Sequence, residues 1–562
     1  MNREADNRQD AAHTVLCVMC PEGCEIVAHR RGEELRFSRD VCRTGREYAE
    51  MEIRNPSRVL TSTVPVRDGE IAMLPVRTAA PVARPRLRAI MEEIKLIRVD
   101  APVRIGDVVA NDLAGTGVAL VAGRTVARRP RTSRPPRTAH AAFTRALEES
   151  LCPLRRAGRE VILFHHNDTD GLASGAILST AFSRAGYTVD RYALEKPYPE
   201  LLDIVFRRYT DKIVVFADFA GRIAPLIARK NQGRNLVVIL DHHPAEPSRD
   251  PTVLNLDPDL YGLKGDIDIS GSTTCYRFAV QLHKTNRDLA HLAVLGATGD
   301  GSFAGGRLVS ANRDALAEAE RQGNARAEPW DDDDSLPGAE RYFITVGGVE
   351  YRCDELASQL DTLGAVGYYQ GGADLAVRVC LEGPSEESRR KLDELVRIRD
   401  RIFAQTVEAL RDGALHTSEF IQWFDVKDRF VPMGVKMIGV FCDEIRNSSV
   451  VDPARYLAGF QWVPGEIPGL GTLGSGMTKV SMRVSDELVE AIRSNRQPGL
   501  DSFLPEATLN LGGFADACHS VSAATTIGIG LERELVEEAE RVLAARIEEL
   551  NAEADHPPYY RP

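Results

Sequence analysis

The stretch Leu163–Ala176, LFHHNDTDGLASGA, decides how the rest of the chain is read. Two imidazoles (His165, His166) and two carboxylates (Asp168, Asp170) follow directly on an apolar run. The run REVILFHH suits a buried strand, and LASGAILSTAFSRAGY has helical spacing with a glycine near its end. Downstream, DKIVVFADF and NLVVILDHH read as further buried strands of the parallel kind, and DLAHLAVLGATGD reads as a helix. Strand and helix alternate, so the layout is α/β and doubly wound. Each strand ends in ligand-type groups: His165, His166, Asp168 and Asp170 after the first, Asp218 after the second, Asp241, His242 and His243 after the third. Asp300 follows the helix. Open parallel sheets bind ligands beyond the carboxyl ends of their strands, so these groups are expected to share one crevice. Carboxylates brought together repel one another unless cations hold them. Mixed with imidazoles, they suit manganese-like ions better than thiolate-selected zinc. Singly, Asp170 or Asp218 fits a cap and His243 a core histidine; caps do not account for three strand ends loaded in this way.

The segments HNDTDGLASGA, VVFADF, VVILDHHP and VLGATGD resemble, in order and spacing, motifs I to IV of the DHH phosphoesterase superfamily. That superfamily includes RecJ-like single-strand exonucleases, oligoribonucleases and cyclic-dinucleotide phosphodiesterases. The resemblance implies two divalent ions, manganese preferred and magnesium or cobalt as alternatives. Asp168 and Asp218 would hold one ion; Asp170, Asp218, His242 and Asp300 would hold the other, with Asp218 bridging. His166 and Asp241 join the expected metal set, and His243 is expected to touch the scissile phosphate or protonate the leaving oxygen. Asp218 and His243 are thus the expected catalytic pair. Two ions roughly 3.5–4 Å apart would activate a water and clamp the phosphate for in-line attack.

Further on, TKVSMRVS and LNLGGFADACHSVSAATTIGIG resemble the substrate-binding domain attached to many DHH enzymes (DHHA1). The resemblance implies that Arg483 grips a phosphate, that Gly512 and Gly513 let backbone N–H groups approach it, and that His519 lies beside them. FADAC separates the glycines from the histidine, where the family joins them.

Cys17, Cys20, Cys24 and Cys42 form a C-x2-C-x3-C-x17-C array. An iron–sulfur cluster or a zinc site is expected there, the former favoured because Cys42 stands alone with no second CxxC. CVMCPEGC resembles the N-terminal iron–sulfur module of molybdopterin oxidoreductases. The sequence through GDVVANDLAGTGVALVA resembles an uncharacterised four-cysteine domain found beside FAD-dependent oxidoreductases. It implies a redox association, with a flavin or redox protein as partner. The other six cysteines read as small buried residues.

The chain has 562 residues, 43% apolar and 27% charged, with a net charge of −12. That length exceeds one core, and the acidic balance gives no overall reason to bind duplex nucleic acid. No apolar run reaches the ~20 residues of a membrane span; a cytoplasmic protein is expected, in which disulfides are rare. The expected domains are 1–122, small, β-rich and carrying the cysteines; 123–150, an extended Arg/Pro-rich linker; 151–310, the DHH domain; 311–415, an irregular insertion with WDDDDSLPG as a solvated loop, then a connecting helix; 416–545, a smaller α/β DHHA1-like domain; and a tail, 546–562. The expected function is two-metal hydrolysis of phosphodiester bonds in a nucleotide, a cyclic dinucleotide or single-stranded nucleic acid. The rivals are a redox accessory protein with a nucleotide-sensing DHH region, and a small-phosphate phosphatase or pyrophosphatase.

Overall fold

The structure is a computed structural model that describes residues 11–20, 22–31, 34–37, 41–67, 71, 73–126, 137–330, 336–474 and 476–555. They fall into two compact units, Met1–Ser133 and Arg134–Pro562.

In the first unit, strands Ala11–Leu16, Glu25–Arg31 and Glu34–Phe37 form an antiparallel sheet, followed by helix Arg43–Arg54. A second sheet of five strands is built around Thr61–Arg67 and Met73–Thr78. In the latter strand Leu74, Val76 and Thr78 turn inward while the residues between them face solvent, the period-2 pattern of a half-buried strand.

The second unit is organised on a five-stranded parallel sheet. Its strands are β1 (Glu160–His166), β2 (Thr188–Leu194), β3 (Ile213–Ala217), β4 (Leu236–Leu240) and β5 (Val253–Asn255), in the order β2-β1-β3-β4-β5. Alternation sends Val161, Leu163 and Val215 into one core and Ile162, Phe164, Val214 and Phe216 into another. Both faces are therefore covered, as the unbroken apolar runs require. Helix α1 (Thr169–Arg184) follows β1, with Asp168 as N-cap accepting from Gly171 N–H. Helices α2 (Gly271–Leu282) and α3 (Ala290–Gly299) pack against it.

The span 311–415 is more regular than expected. Strands Ala325–Pro329, Glu340–Val346 and Val349–Arg352 form an antiparallel sheet, and helices Ser310–Arg321, Cys353–Asp361 and Gly372–Glu382 surround it. The hairpin turns on Gly347 and Gly348, both with positive φ (60° and 80°), as a two-residue turn of this kind demands. The run ITVGGVEYR carried that signal. Residues 331–335, the aspartate-rich part of the expected loop, lie outside the described residues. The connecting helix is Glu386–Ala409.

A second, mixed sheet follows. Its strands are β6 (His416–Thr417), β7 (Ile421–Asp425), β8 (Tyr456–Trp462), β9 (Met477–Arg483), β10 (Phe514–Cys518) and β11 (Ser522–Gly528), in the order β6-β7-β8-β9-β11-β10. Helix α4 (Met437–Ile445) lies between β7 and β8 in sequence and packs on β8 and β9. The chain is thus the expected α/β assembly of a doubly wound parallel sheet, a smaller mixed sheet and a β-rich N-terminal part. Among the described residues no helix is long and apolar enough to cross a membrane.

The expected linker 123–150 is corrected from Arg137 onward, where helix Arg137–Arg156 begins. Residues 127–136, which hold Pro130, Pro135 and Pro136, lie outside the described residues. Past those prolines, Ala139, Phe143, Leu147, Leu151 and Leu154 recur at helical spacing and are buried in the main core. Apolar burial therefore decides this segment, and its arginines do not. Phe143→Ala is expected to cost roughly 3–5 kcal/mol of stability, measured by urea denaturation; a linker residue would show no such loss.

Candidate metal centre

The sheet register brings the strand ends level. Ala217 pairs with His165 on one side and with Leu240 on the other, so the residues just beyond each strand emerge at one height. Strand alternation separates the adjacent histidines. His165 is buried, its ring against Gly175, where a Cβ would lie 2.6 Å from the imidazole. Burial holds His165 down to about 3, so it is a neutral packing group. His166 lies on the opposite side, with Nδ1 2.7 Å from Asp168 Oδ2 and 3.7 Å from Asp218 Oδ2.

Asp218 adopts φ +68°, a left-handed conformation that costs a non-glycine residue free energy and clusters at functional sites. Its N–H still bonds Leu240 O at 2.9 Å. Its Oδ1 is 3.3 Å from His242 Nε2. His242 Nε2 is also 3.9 Å from both Asp170 Oδ2 and Asp300 Oδ2. The two oxygens of Asp218 thus face two different sets of ligating atoms. His166, Asp168 and Asp218 form one set, and Asp170, His242 and Asp300 another, each with ligand atoms within 4.8 Å of one another.

Asp170 is fixed by the start of α2: Gly271 N–H and Ser272 N–H donate to it at 2.6 and 3.0 Å, and Ser270 Oγ at 3.1 Å. Gly271 has no alternative here, since a Cβ would meet Asp218 Oδ1 at 2.2 Å. Thr169, between the two aspartates of the first motif, donates through N–H and Oγ to Asp361 Oδ1 at 2.8 and 3.0 Å.

Protonation is contested inside this cluster. Burial, with Asp170 and Asp168 adding to it, pushes Asp218 well above the usual carboxylate range, and burial with Asp300 raises Asp170. Burial also works to raise Asp168, but His166 and Lys436 outweigh it and hold that carboxyl low. Burial would lower His242, yet Asp218, Asp300 and Asp170 raise it. Asp218 Oδ1 and both ring nitrogens of His242 are buried with no hydrogen-bond partner. Buried polar atoms left so are costly, and a donor set of carboxylates and imidazoles with open lone pairs fits divalent cations.

Asp241, which is buried, pairs with His243, and the two also form with Asp218 and His242 a third set of ligand-type atoms within 4.8 Å of one another. Asp241 Oδ2 accepts from Gly221 N–H at 2.8 Å; Oδ1 accepts from His242 N–H at 2.8 Å and lies 2.7 Å from His243 Nδ1. Burial alone would raise Asp241, but His243 and His242 outweigh it and lower the carboxyl. His243 is about half exposed, at 51%.

A cavity of about 130 Å³ opens beside His166 and Asn167. From the second sheet it takes Lys479, Ser481 and Arg483, which alternate along β9 with the core residues Val480 and Met482. Arg483 donates to Asp443 Oδ1 at 2.8 Å and to Ser481 Oγ at 3.0 Å. Gly512, Gly513 and His519 do not line this cavity. FADAC is itself strand β10, so the glycines and His519 sit at opposite ends of five residues, roughly 17 Å of chain. His519 N–H bonds Ser522 O at 2.9 Å, and Ser522 pairs with Arg483, so His519 shares a sheet end with Arg483.

Several cavity residues, Lys436 and Glu195 foremost, were not read from sequence. Lys436 precedes α4 and places Nζ 3.1 Å from Asp168 Oδ2. Glu195 follows β2, is buried, and lies 3.2 Å from the Tyr369 hydroxyl, which donates to it. Neither stands in a recurrent spacing. Lys479 was not singled out either, although the alternation T-K-V-S-M-R places it on the same strand face as Arg483.

The four N-terminal cysteines are not gathered. Cys17 is buried, while Cys20, Cys24 and Cys42 are exposed, and Cys42 Sγ caps helix Arg43–Arg54 by accepting Gly45 N–H at 3.2 Å. Among the described residues, no three of them come within the 4.8 Å that unites the aspartate–histidine sets. As placed, they do not fit a cluster. Of the other six, Cys275, Cys353, Cys380 and Cys442 are buried as expected, and Cys152 is exposed.

Two family models match the chain. The one described as "DHH family, N-terminal domain" matches residues 160–297, and the four motifs lie in or directly beside the matched segment. The one described as "Protein of unknown function (DUF1667)" matches residues 43–124. An uncharacterised protein of Methanocaldococcus jannaschii is 28% identical over 182 residues, 31% of this chain; the match spans 40% of that relative. Among solved structures, RecJ in complex with Mn2+ from Thermus thermophilus aligns over 71% of this chain and 55% of its own, at 16% identity and a TM-score of 0.47. A pGpG-specific phosphodiesterase from Vibrio aligns over 70% of this chain and 99% of its own, at 13% identity and a TM-score of 0.28.

Glu195 gives the site a measurable pH signature. Burial raises its carboxyl from 4.5 to about 7, against the pull of Lys436 N–H and the Tyr369 hydroxyl. Between those values the folded protein keeps a proton that the unfolded chain releases. Stability therefore falls as pH rises through this window, by roughly 3 kcal/mol in full. Glu195→Gln has no such proton and should flatten this part of the curve of unfolding free energy against pH; equal slopes in the two proteins would contradict the assignment.

Proposed function

We propose that this protein hydrolyses phosphodiester bonds in nucleotides or single-stranded nucleic acid, using two divalent ions held by the aspartate–histidine cluster. The observation that carries the reading is Asp218, whose two buried oxygens face two separate ligand sets and whose Oδ1 has no hydrogen-bond partner. His166, Asp168 and Asp218 would hold one ion; Asp170, Asp218, His242 and Asp300 would hold the other. Such ions, manganese preferred, supply Lewis acidity, activated water and charge balance for phosphate oxygens.

The chain's own groups do the rest. Asp241 orients the His243 ring through Nδ1, which leaves Nε2 to give a proton to the leaving oxygen. Asp241 acts in this reading as a support and not as a ligand, because its oxygens are taken by Gly221 N–H, His242 N–H and His243. Arg483 and Lys479, on one face of β9, bind the phosphate in the cavity beside His166.

Asp218→Ala is expected to abolish Mn-dependent hydrolysis with the circular dichroism spectrum unchanged. The same variant should lose the rise in melting temperature that added Mn2+ gives the wild type, since an ion bound only by the folded state stabilises it. Undiminished turnover in the variant would refute the assignment. His243→Ala should lower kcat roughly 10²–10⁴-fold while the Mn2+-induced shift persists. A screen with Mn2+ against a cyclic dinucleotide, pApA, phosphoadenosine phosphate and labelled single-stranded oligomers identifies the substrate.

A further inference from the structure

We infer that Lys436 is a catalytic cation delivered to the metal centre by the C-terminal part of the chain, and that Glu195 is the positioning residue that holds it there; the inference rests on the phosphodiesterase reading above. Lys436 Nζ is 3.1 Å from Asp168 Oδ2 and shares the cavity with His166, Lys196, Lys479 and Arg483. Its side chain is 41% exposed, so the ammonium lies at the mouth of the centre, within reach of an entering anion. Four cationic side chains against Glu195 and Asp168 leave the cavity with positive charge, as a phosphate site requires.

A counter-ion for Asp168 would need no more than a flexible lysine. The backbone carrying Lys436 is instead clamped against the parallel-sheet side. Gly434 N–H bonds Ala365 O at 2.9 Å. A Cβ at Gly434 would lie 2.3 Å from Glu195 Oε1 and 2.7 Å from Ala365 O, so this crossing needs glycine. Glu195 Oε1 then takes Lys436 N–H at 3.4 Å, and Oε2 takes the Tyr369 hydroxyl at 3.2 Å. Val435, between them, is buried in the core that also holds Phe164 and Phe216. The stem of Lys436 therefore starts from a fixed point.

In hydrolysis, the P–O bond to the leaving group breaks as water adds, giving a phosphate monoester and an alcohol. Lys436 donates a hydrogen bond to a non-bridging oxygen as charge grows on it and transfers no proton. Preorganised donors of this kind act mainly on the transition state.

The test is steady-state kinetics of the full chain with Mn2+ and bis(4-nitrophenyl) phosphate as a generic diester. Lys436→Ala should lower kcat roughly 10²–10³-fold, with KM changed far less and the Mn2+-induced thermal shift retained. Glu195→Ala should lower kcat with a melting temperature still above the assay temperature, and Glu195→Gln should recover most of that loss, since an amide oxygen still accepts Lys436 N–H. The double variant Glu195→Ala, Lys436→Ala should be no slower than Lys436→Ala alone. An active wild type with unchanged kcat in Lys436→Ala, loss of the Mn2+ shift in that variant, or multiplied losses in the double variant would each overturn the inference alone. A wild type that hydrolyses nothing with Mn2+ would overturn the phosphodiesterase reading as well.

Discussion

Like charges buried side by side are the constraint around which this fold is arranged. Asp218 feels both Asp170 and Asp168; Asp170 and Asp218 are buried and Asp168 is mostly so. Each neighbour makes the next harder to ionise. Everything close to them is shaped by that conflict: backbone N–H groups at the start of α2 grip Asp170, imidazoles interleave, and small residues such as Gly271 give the carboxylates room. A core of ordinary apolar packing would have no use for such an arrangement.

The parallel sheet sustains the cluster by rigidity. β1, β3 and β4 end in register, and both faces are sealed by side chains from separate cores. The acids stand within one to four residues of the strand ends, and Asp170 and Asp241 are held by backbone N–H groups, so the carboxylates cannot swing freely apart to relieve their repulsion. Helix α1 is buried along most of its length and is anchored at its first turn by Asp361 from a distant helix. The second sheet then closes on this frame through shared apolar packing and the close approach at Gly434, and contributes its charged face as one wall of the cavity.

Much of this was legible because the relevant residues are local in sequence. Apolar runs followed at once by acids or imidazoles report strand ends, and parallel strand ends share an edge. Lys436 and Glu195 were not legible, because their meeting depends on a tertiary crossing that no spacing announces. Helix Arg137–Arg156 was obscured when charge and proline were weighed above the recurrence of Phe143, Leu147 and Leu151. FADAC was visible as a departure, but only its strand conformation shows that it draws Gly513 and His519 apart. The cysteines carried a metal-like spacing, and the structure leaves one buried and the others facing solvent.

Asp218 combines a left-handed backbone with a carboxyl that burial resists ionising. Both features oppose folding, so replacing this residue by glycine or asparagine would relieve the native state while removing the proposed metal bridge. Mutational drift in such a scaffold runs downhill toward inert, sturdier descendants. An acid kept at this position is therefore not explained by shape, and fits the metal-bridging role proposed for it.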